Sequence, residues 1–331
     1  MKNEELLHLI TTEDTGEIEK LFEQARGVRE EYYGKSVYFR GLIEFTNYCR
    51  NDCYYCGIRR SNKNLERYRL SLDDILACCR MGDKIGYRTF VMQGGEDPWF
   101  TDEKLVPIIR AVREEFPDHA ITLSAGERSR ESYELLFRAG ANRYLLRHET
   151  ATDCHYAKLH PPSMNLAARR QCLQNLKDIG FQTGAGFMVG SPFQTPEYLL
   201  ADLRFLEELQ PQMVGIGPFL PQQDTPFGAE KAGSLILSLK MVALARILLP
   251  RALIPATTAL GTLTPGGREA GLNAGANVFM PNLTPLSVRK LYSLYDNKVS
   301  AADDAAENHL RFEEMVRSAG YFSDMSRGDA A

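Results

Sequence analysis

The sequence predicts an α/β protein whose main domain is a complete (β/α)8 TIM-type barrel with an N-terminal helical cap. Short β-branched and aromatic runs alternate eight times with amphipathic helical stretches. The length of 331 residues is typical of one such barrel, and no linker or low-complexity stretch divides the chain. A doubly wound open sheet is the alternative, but the number of strand–helix units favours a closed barrel.

Three parts follow one another along the chain. They are an N-terminal helical extension (1–34), the barrel (35–300) and a C-terminal helix with a tail (301–331). Helical spacing of apolar residues predicts a helix over 15–33, which Gly34 ends. Because the N-terminal helices lie outside the strand–helix repeat, we expect them to cap the barrel end remote from the site. After the last helix, which ends near residue 319, we expect a frayed tail.

The eight predicted strands are short runs rich in β-branched or aromatic residues. In chain order they span residues 37–45, 89–93, 120–124, 143–149, 183–189, 213–219, 254–259 and 277–280. The helix after the first strand has a capping-box signal in Ser71 and Asp74. A longer connection, residues 150–163, separates the fourth strand from its helix.

Charge and composition exclude several classes of partner. The formal net charge of −4 gives no reason to expect a nucleic-acid partner, and no segment approaches the ~20 apolar residues of a membrane span. Residues 1–10 contain no long apolar run, so we expect no secretory signal. The chain has seven cysteines, three of them clustered. We therefore expect a cytoplasmic protein, in a reducing compartment where thiols bind metal rather than form disulfides.

Three cysteines after the first strand carry the strongest chemical signal. Cys49, Cys53 and Cys56 follow the spacing Cys-x3-Cys-x2-Cys, and thiolates are soft ligands that suit iron–sulfur clusters and zinc. Structural zinc usually needs a fourth protein ligand, which is missing at a suitable spacing. Three ligands to a four-iron cube leave one iron open to react. With Tyr55 before the last cysteine, the pattern resembles the signature of radical S-adenosylmethionine (SAM) enzymes; three unrelated core thiols are the alternative.

Other candidate residues lie at the C-terminal ends of the predicted strands, which share the active-site face of a barrel. Gly94 and Gly95 form either a turn whose backbone groups point at a small ligand or an ordinary glycine turn. Arg147 and Glu149 either contact a zwitterionic ligand or form an ion pair on the rim. Arg169, early in the next helix, is a second candidate for binding a carboxylate.

Further candidates have equally plausible structural roles. Thr257 and Thr258 end the seventh strand, where they line a polar pocket or bond only to the backbone. Tyr292 follows the last strand and serves either as a lid or in helix packing. A basic run after the cysteines either contacts an anionic ligand or an electron donor, or is simply solvated; its members are Arg59, Arg60, Lys63, Arg67 and Arg69.

Four runs of sequence resemble the HydE family of [FeFe]-hydrogenase maturases, a radical SAM family. They cover residues 37–45, 143–151, 213–219 and 254–262, and with the cysteines the resemblance extends from about residue 35 to 295. Biotin synthase and methylornithine synthase are similar but more distant. The resemblance implies a complete barrel with an internal cavity, in which one electron cleaves SAM to methionine and a 5′-deoxyadenosyl radical.

The resemblance also implies roles for individual residues. One [4Fe-4S] cluster would be held by Cys49, Cys53 and Cys56. The residues around SAM would be Tyr55, Gln93, Gly94, Ser124, Glu149 and Arg169. The cavity for the second substrate would be lined by Arg147, Thr257, Thr258 and Tyr292. Because no cysteine follows Cys172, we expect none of the second clusters that some HydE proteins carry.

The implied function is H-cluster maturation of [FeFe]-hydrogenase. The radical would attack the sulfur of a cysteine-bound iron carbonyl–cyanide complex. Implied partners are a reduced electron donor such as ferredoxin or flavodoxin, and other hydrogenase maturases. Two alternatives stay open: a HydE-like radical SAM enzyme of amino-acid or thioether metabolism, and a non-catalytic iron–sulfur scaffold.

Overall fold

The computed structural model describes residues 1–298 and 305–330, and it contains two parallel sheets that together form a barrel. The strands are β1 Ser36–Phe39, β2 Gly41–Thr46, β3 Thr89–Gly94, β4 Ala120–Ser124, β5 Arg143–Leu145, β6 Gln182–Val189, β7 Met213–Pro218, β8 Val278–Phe279 and β9 Phe322–Asp324. The larger sheet has the order β2-β3-β4-β5-β6-β7, and the smaller one β8-β1-β9.

Helices surround these strands. They are α1 Asn3–Thr11, α2 Thr15–Tyr33, α3 Leu72–Ile85, α4 Asp102–Glu115, α5 Arg130–Arg138, α6 Asp153–Leu159, α7 Leu166–Ile179, α8 Pro196–Leu209, α9 Leu235–Leu248, α10 Thr258–Leu263, α11 Gly267–Asn273, α12 Leu286–Arg289 and α13 Ala305–Ser318. The predicted capping box is present at the start of α3. Within the described residues, none of the helices combines the length and the apolar character that a membrane span needs.

Isolated bridges join the two sheets. Met213 of β7 pairs with Leu253, Pro255 pairs with Val278 of β8, and Leu42 of β2 pairs with Asn282. The α/β barrel class predicted from the sequence is therefore confirmed, although closure depends on single bridges rather than on one continuous ladder.

Two predicted strands differ from the structure. Residues 254–259 form no strand beyond the bridge at Pro255, and Thr258 already begins α10. Proline has no N–H to donate, which explains why a regular ladder does not form there. The fourth strand ends at Leu145 instead of residue 149, and beyond it Glu149, with a left-handed backbone of φ 67°, makes only a single bridge to Phe187.

The N-terminal end of the barrel, remote from the cysteines, is covered by the C-terminal segment. Buried Arg143 donates to the carbonyl oxygens of Arg327 and Gly328 at 2.9 and 3.1 Å, and β9 pairs with β1. The expectation of a frayed tail is therefore wrong. Helices α1 and α2 pack against α8 and α9 at the side of the barrel, so the expected N-terminal cap lies elsewhere than predicted.

An ion pair anchors this segment and gives a stability prediction. The Asp329 carboxylate accepts hydrogen bonds from Arg143 at 2.6 Å and from Gln182 at 2.9 Å. Burial raises the pKa of Asp329, but these hydrogen bonds outweigh it and lower the pKa to about 2. We expect Asp329→Asn to reduce the free energy of unfolding at neutral pH by about 1–2 kcal/mol, since Asp329 is partly exposed.

The pH dependence of that difference follows from the depressed pKa. The stabilisation is complete above the unfolded-state pKa of about 4 and is lost as the pH falls through the folded value. Urea unfolding of both proteins between pH 7 and pH 3 should therefore show the difference shrinking toward acid. The exposed Asp118→Asn variant should behave like the wild type, and a difference independent of pH would contradict the assignment.

Candidate functional site

A cavity lies at the C-terminal ends of the strands and brings together most of the residues selected from the sequence. The selected residues that line it are Cys49, Cys53, Tyr55, Cys56, Gln93, Gly94, Ser124, Arg147, Glu149, Arg169 and Tyr292. These residues follow different strands, so the barrel is what assembles them. Thr257 and Thr258 are not among its lining residues.

The cysteine loop follows β2 and is tied to three other loops by backbone hydrogen bonds. Arg50 N donates to Glu96 O at 2.8 Å, Tyr54 N to Leu159 O at 3.0 Å, and Gly57 N to Leu294 O at 2.8 Å. The loop is thus held by segments that follow β3, β5 and β8, which orients its thiols toward the cavity.

The two glycines after β3 allow this loop to approach closely. A Cβ on Gly95 would lie 2.2 Å from Tyr48 O and 2.8 Å from Cys49 Cβ. Just beyond them, Asp97 accepts from Thr46 at 2.8 Å and from Arg69 at 2.6 Å, so the glycine turn is anchored on its far side. Any side chain at residue 95 would therefore displace the cysteine loop.

Burial disfavours the ionised form of the three thiols. Burial is the main cause that raises the pKa of Cys49, Cys53 and Cys56. Neighbouring thiols add to the rise at Cys53 and at Cys56, whose pKa is raised to about 12 in total. Bare thiols in this place are protonated, whereas iron binds the thiolate form. The donor set therefore fits an iron–sulfur cluster chemically. Over residues 1–298 and 305–330, no three Cys, His, Asp or Glu side chains converge on a single metal ion, and the cysteines of a [4Fe-4S] cluster, each bound to a different iron atom, need no such convergence.

Arg147 and Glu149 bring an ion pair to the cavity. Arg147 Nη2 and Glu149 Oε2 lie 3.2 Å apart without hydrogen-bond geometry, and the buried Arg147 Nε has no hydrogen-bond partner. The left-handed backbone at Glu149 is stabilised by its N–H, which donates to Gly186 O at 3.0 Å. Buried polar atoms without partners are uncommon in folded proteins, so their presence indicates a place for a polar ligand.

Arg169 is a cation held between carboxylates. Its Nε lies 2.7 Å from Glu127, and its Nη2 lies 3.8 Å from Glu96. Burial alone would lower the pKa of Arg169, but the nearby oxygens of Tyr156 and Glu127 hold it well above its usual value. A permanently charged guanidinium at this edge of the cavity suits an anionic group.

Tyr292 connects the cavity to a polar network at its side. Gln93 Nε2 donates to the Tyr292 hydroxyl at 3.3 Å, and Lys298 donates to Tyr292 O at 2.9 Å. Lys298 also pairs with buried Glu44. Thr258 lines a neighbouring cavity with Glu44 and Lys298 instead. Thr257 has a buried hydroxyl without a hydrogen-bond partner.

The basic run has mainly a structural role. Arg67 donates to the carbonyl oxygens of Asn47, Ile58, Arg59 and Asn62, which places it at the centre of the cysteine loop. Arg59 pairs with Asp52 at 2.8 Å, and Arg69 with Asp97. Arg60 and Lys63 are exposed. Groups of the protein itself therefore hold Arg59, Arg67 and Arg69, and the hypothesis of an anion or donor contact stays a prediction.

Sequence reasoning missed the short helix α6 within the predicted connection 150–163. Tyr156 in this helix stacks on His160, which directly follows the helix, and the Tyr55 hydroxyl is 3.1 Å from His160 Nε2. The spacing of four residues between Tyr156 and His160 puts them on one face of a helix, which is the signal that the sequence offered.

Comparison with known proteins identifies the chain. The model of the Radical SAM superfamily matches residues 43–206, from β2 to α8. The [FeFe] hydrogenase maturase subunit HydE of Thermotoga maritima is 49% identical over 296 residues, covering 89% of this chain and 84% of that protein. The chain belongs to the HydE family.

Relatives outside HydE share the same architecture. The 3-methylornithine synthase of Methanosarcina acetivorans is 30% identical and covers 92% of this chain and 85% of that protein. The crystal structure of methylornithine synthase (PylB) superposes with a TM-score of 0.85 at 27% identity, covering 98% of this chain and 94% of that one. As a HydE-family protein the chain is a radical SAM enzyme, and this membership implies a [4Fe-4S] cluster and SAM.

Proposed function

We propose that this HydE-family enzyme acts in the maturation of [FeFe]-hydrogenase, using SAM and one [4Fe-4S] cluster to activate a sulfur-containing substrate. The observation that carries the proposal is that three thiols, the Arg147–Glu149 ion pair and a buried tyrosine line one cavity. When bound, the cluster supplies the electron that cleaves SAM reductively. The protein's own side chains bind, orient and shield the reactants.

In this proposal Cys49, Cys53 and Cys56 hold the cluster at the mouth of the barrel. Around SAM, Arg169 provides positive charge for the carboxylate and Glu149 accepts from hydroxyl or ammonium groups. The other SAM-binding residues are Tyr55, Gln93, Gly94 and Ser124. Because glycine 94 has no side chain, backbone groups there reach a ligand directly.

The second substrate would lie deeper in the cavity, beside Arg147 and Tyr292. The buried Nε of Arg147 has no hydrogen-bond partner, and a guanidinium suits a carboxylate such as a cysteine-bound iron complex carries. Thr257 has a free buried hydroxyl, whereas Thr258 contributes only if the two cavities join when substrate binds.

Partners and location complete the proposal. A reduced ferredoxin or flavodoxin would supply the electron, and other hydrogenase maturases would supply or receive the iron complex. The cytoplasmic location stays a prediction from the sequence. The three-part division of the chain also stays a prediction.

An anaerobic turnover assay tests the proposed function. Reduced, reconstituted protein is given SAM with a cysteine-bound iron carbonyl–cyanide complex, and adenosylated products are identified by mass spectrometry. We expect 5′-deoxyadenosine or an adenosylated product whose formation depends on the complex. Cluster transfer without any SAM cleavage would support a scaffold and contradict the proposal.

A second candidate function is favoured by one comparison. The 30% identity to a 3-methylornithine synthase makes an amino-acid substrate a reasonable alternative. In the same assay, turnover with amino acids or thioethers but not with the iron complex would support this second function.

A further inference from the structure

The segment after β5 supports the cysteine loop from the outside. The C-terminal end of α6 contacts this loop, since Leu159 O accepts from Tyr54 N at 3.0 Å. The next residue, His160, is only 1% exposed. Its ring stacks on Tyr156 with a centroid distance of 3.9 Å, which fixes its plane. The fold therefore places a rigid, buried imidazole directly behind the cysteine loop.

Both nitrogens of His160 have partners, and this determines the tautomer. Nδ1 lies 2.9 Å from Tyr156 O, which can only accept, so Nδ1 carries the hydrogen. Nε2 is then the acceptor, and the Tyr55 hydroxyl donates to it at 3.1 Å. Burial lowers the pKa of His160 to about 3, which keeps this neutral arrangement at working pH.

Tyr55 depends on this acceptor for its orientation. The residue lies between Cys53 and Cys56 and lines the cavity, while its hydroxyl points away to His160. A buried hydroxyl without a partner costs free energy, so removal of the acceptor would favour other side-chain positions. Tyr156, which stacks on His160, lies near Arg169. Burial raises the pKa of Tyr156, and the positive charge of Arg169 offsets part of that rise.

We infer that His160 is a positioning residue for SAM binding. It acts by accepting a hydrogen bond from the Tyr55 hydroxyl, which holds the Tyr55 ring against the cavity. The inference rests on the proposed function, because it requires that Tyr55 contacts SAM. His160 itself does not line the cavity, so it acts only through Tyr55. Nothing in the cysteine spacing pointed to this residue.

A double-mutant cycle on SAM affinity tests the inference with cluster-loaded protein. Tyr55→Phe and His160→Phe should each raise the Kd for SAM by about fivefold, the equivalent of one hydrogen bond. Because both changes remove the same interaction, the double variant should show the same fivefold change and not the product. His160→Gln, which can still accept from the hydroxyl, should recover part of the affinity. His119→Phe removes a buried histidine far from the cavity and should leave the Kd unchanged.

The outcomes separate this inference from the proposed function. If the wild type binds and cleaves SAM but the two changes multiply, His160 does not act through Tyr55 and the inference is overturned. If His160→Phe does not fold, Tyr55→Phe decides the matter, since an unchanged Kd in that variant also overturns it. A wild type that neither binds nor cleaves SAM overturns the proposed function itself.

Discussion

Replacing Cys53 with serine is expected to abolish both the iron–sulfur absorbance and SAM cleavage. Cys53 is the middle thiol of the loop, and burial with two neighbouring thiols raises its pKa well above the usual range. A hydroxyl is a harder and far less acidic donor than a thiol, so it does not replace a thiolate on iron. Iron and sulfide analysis, visible absorbance and 5′-deoxyadenosine formation together measure the effect.

The matched control is Cys154→Ser, which changes an exposed cysteine outside the cavity. This variant should retain wild-type iron content and activity. Wild-type iron content in Cys53→Ser would refute the ligand assignment, since the remaining thiols would then suffice.

Adding one methyl group at Gly95 is expected to have an effect nearly as large. The new Cβ would lie 2.2 Å from Tyr48 O, and Asp97 prevents the glycine turn from moving away. The cysteine loop must therefore shift to remove the clash, at a free-energy cost of about 3 kcal/mol. This cost corresponds to about a hundredfold loss in the rate of SAM cleavage. The measurement is 5′-deoxyadenosine formation per chain after anaerobic reconstitution.

Gly27→Ala is the matched control for this substitution. Gly27 lies in α2, where an added Cβ meets nothing within 4 Å, and alanine favours a helix by about 0.5–1 kcal/mol over glycine. It should retain cluster and activity. A Gly95→Ala protein with full cluster content and activity would show that the close approach of the two loops is not required.

The barrel was predictable because its signal is local and repeated. Alternation of strand-like and helix-like runs determined the number of units, and the capping box of α3 lay at the predicted residues. Closure of the barrel was less predictable, because it depends on which distant segments pair with each strand. The bridge at Pro255 and the left-handed backbone at Glu149 are set by tertiary contacts that residue preferences do not reveal.

The order of the C-terminal tail was also not predictable from local sequence. The residues from Phe322 onward are polar and short, and alone they predict disorder. They are ordered because β9 pairs with β1, more than two hundred residues away, and because Asp329 meets buried Arg143. No local pattern in the tail itself carries that information.

The cavity was predicted better than its surroundings. Residues at strand ends converge whenever the barrel closes, so the cysteines, Gln93, Ser124 and Arg147 lie together as expected. The basic run was ambiguous, since only the structure reveals that Arg67 binds four carbonyl oxygens. His160 was missed because its partner Tyr55 lies 105 residues earlier.

The central claim is that three thiolates hold a cluster with one iron left open for SAM. Electron paramagnetic resonance of anaerobically reduced protein, recorded before and after SAM addition, tests it most directly. We predict an iron–sulfur signal that changes when SAM is added, followed by formation of 5′-deoxyadenosine. A signal that is identical with and without SAM, and no 5′-deoxyadenosine, would contradict the account.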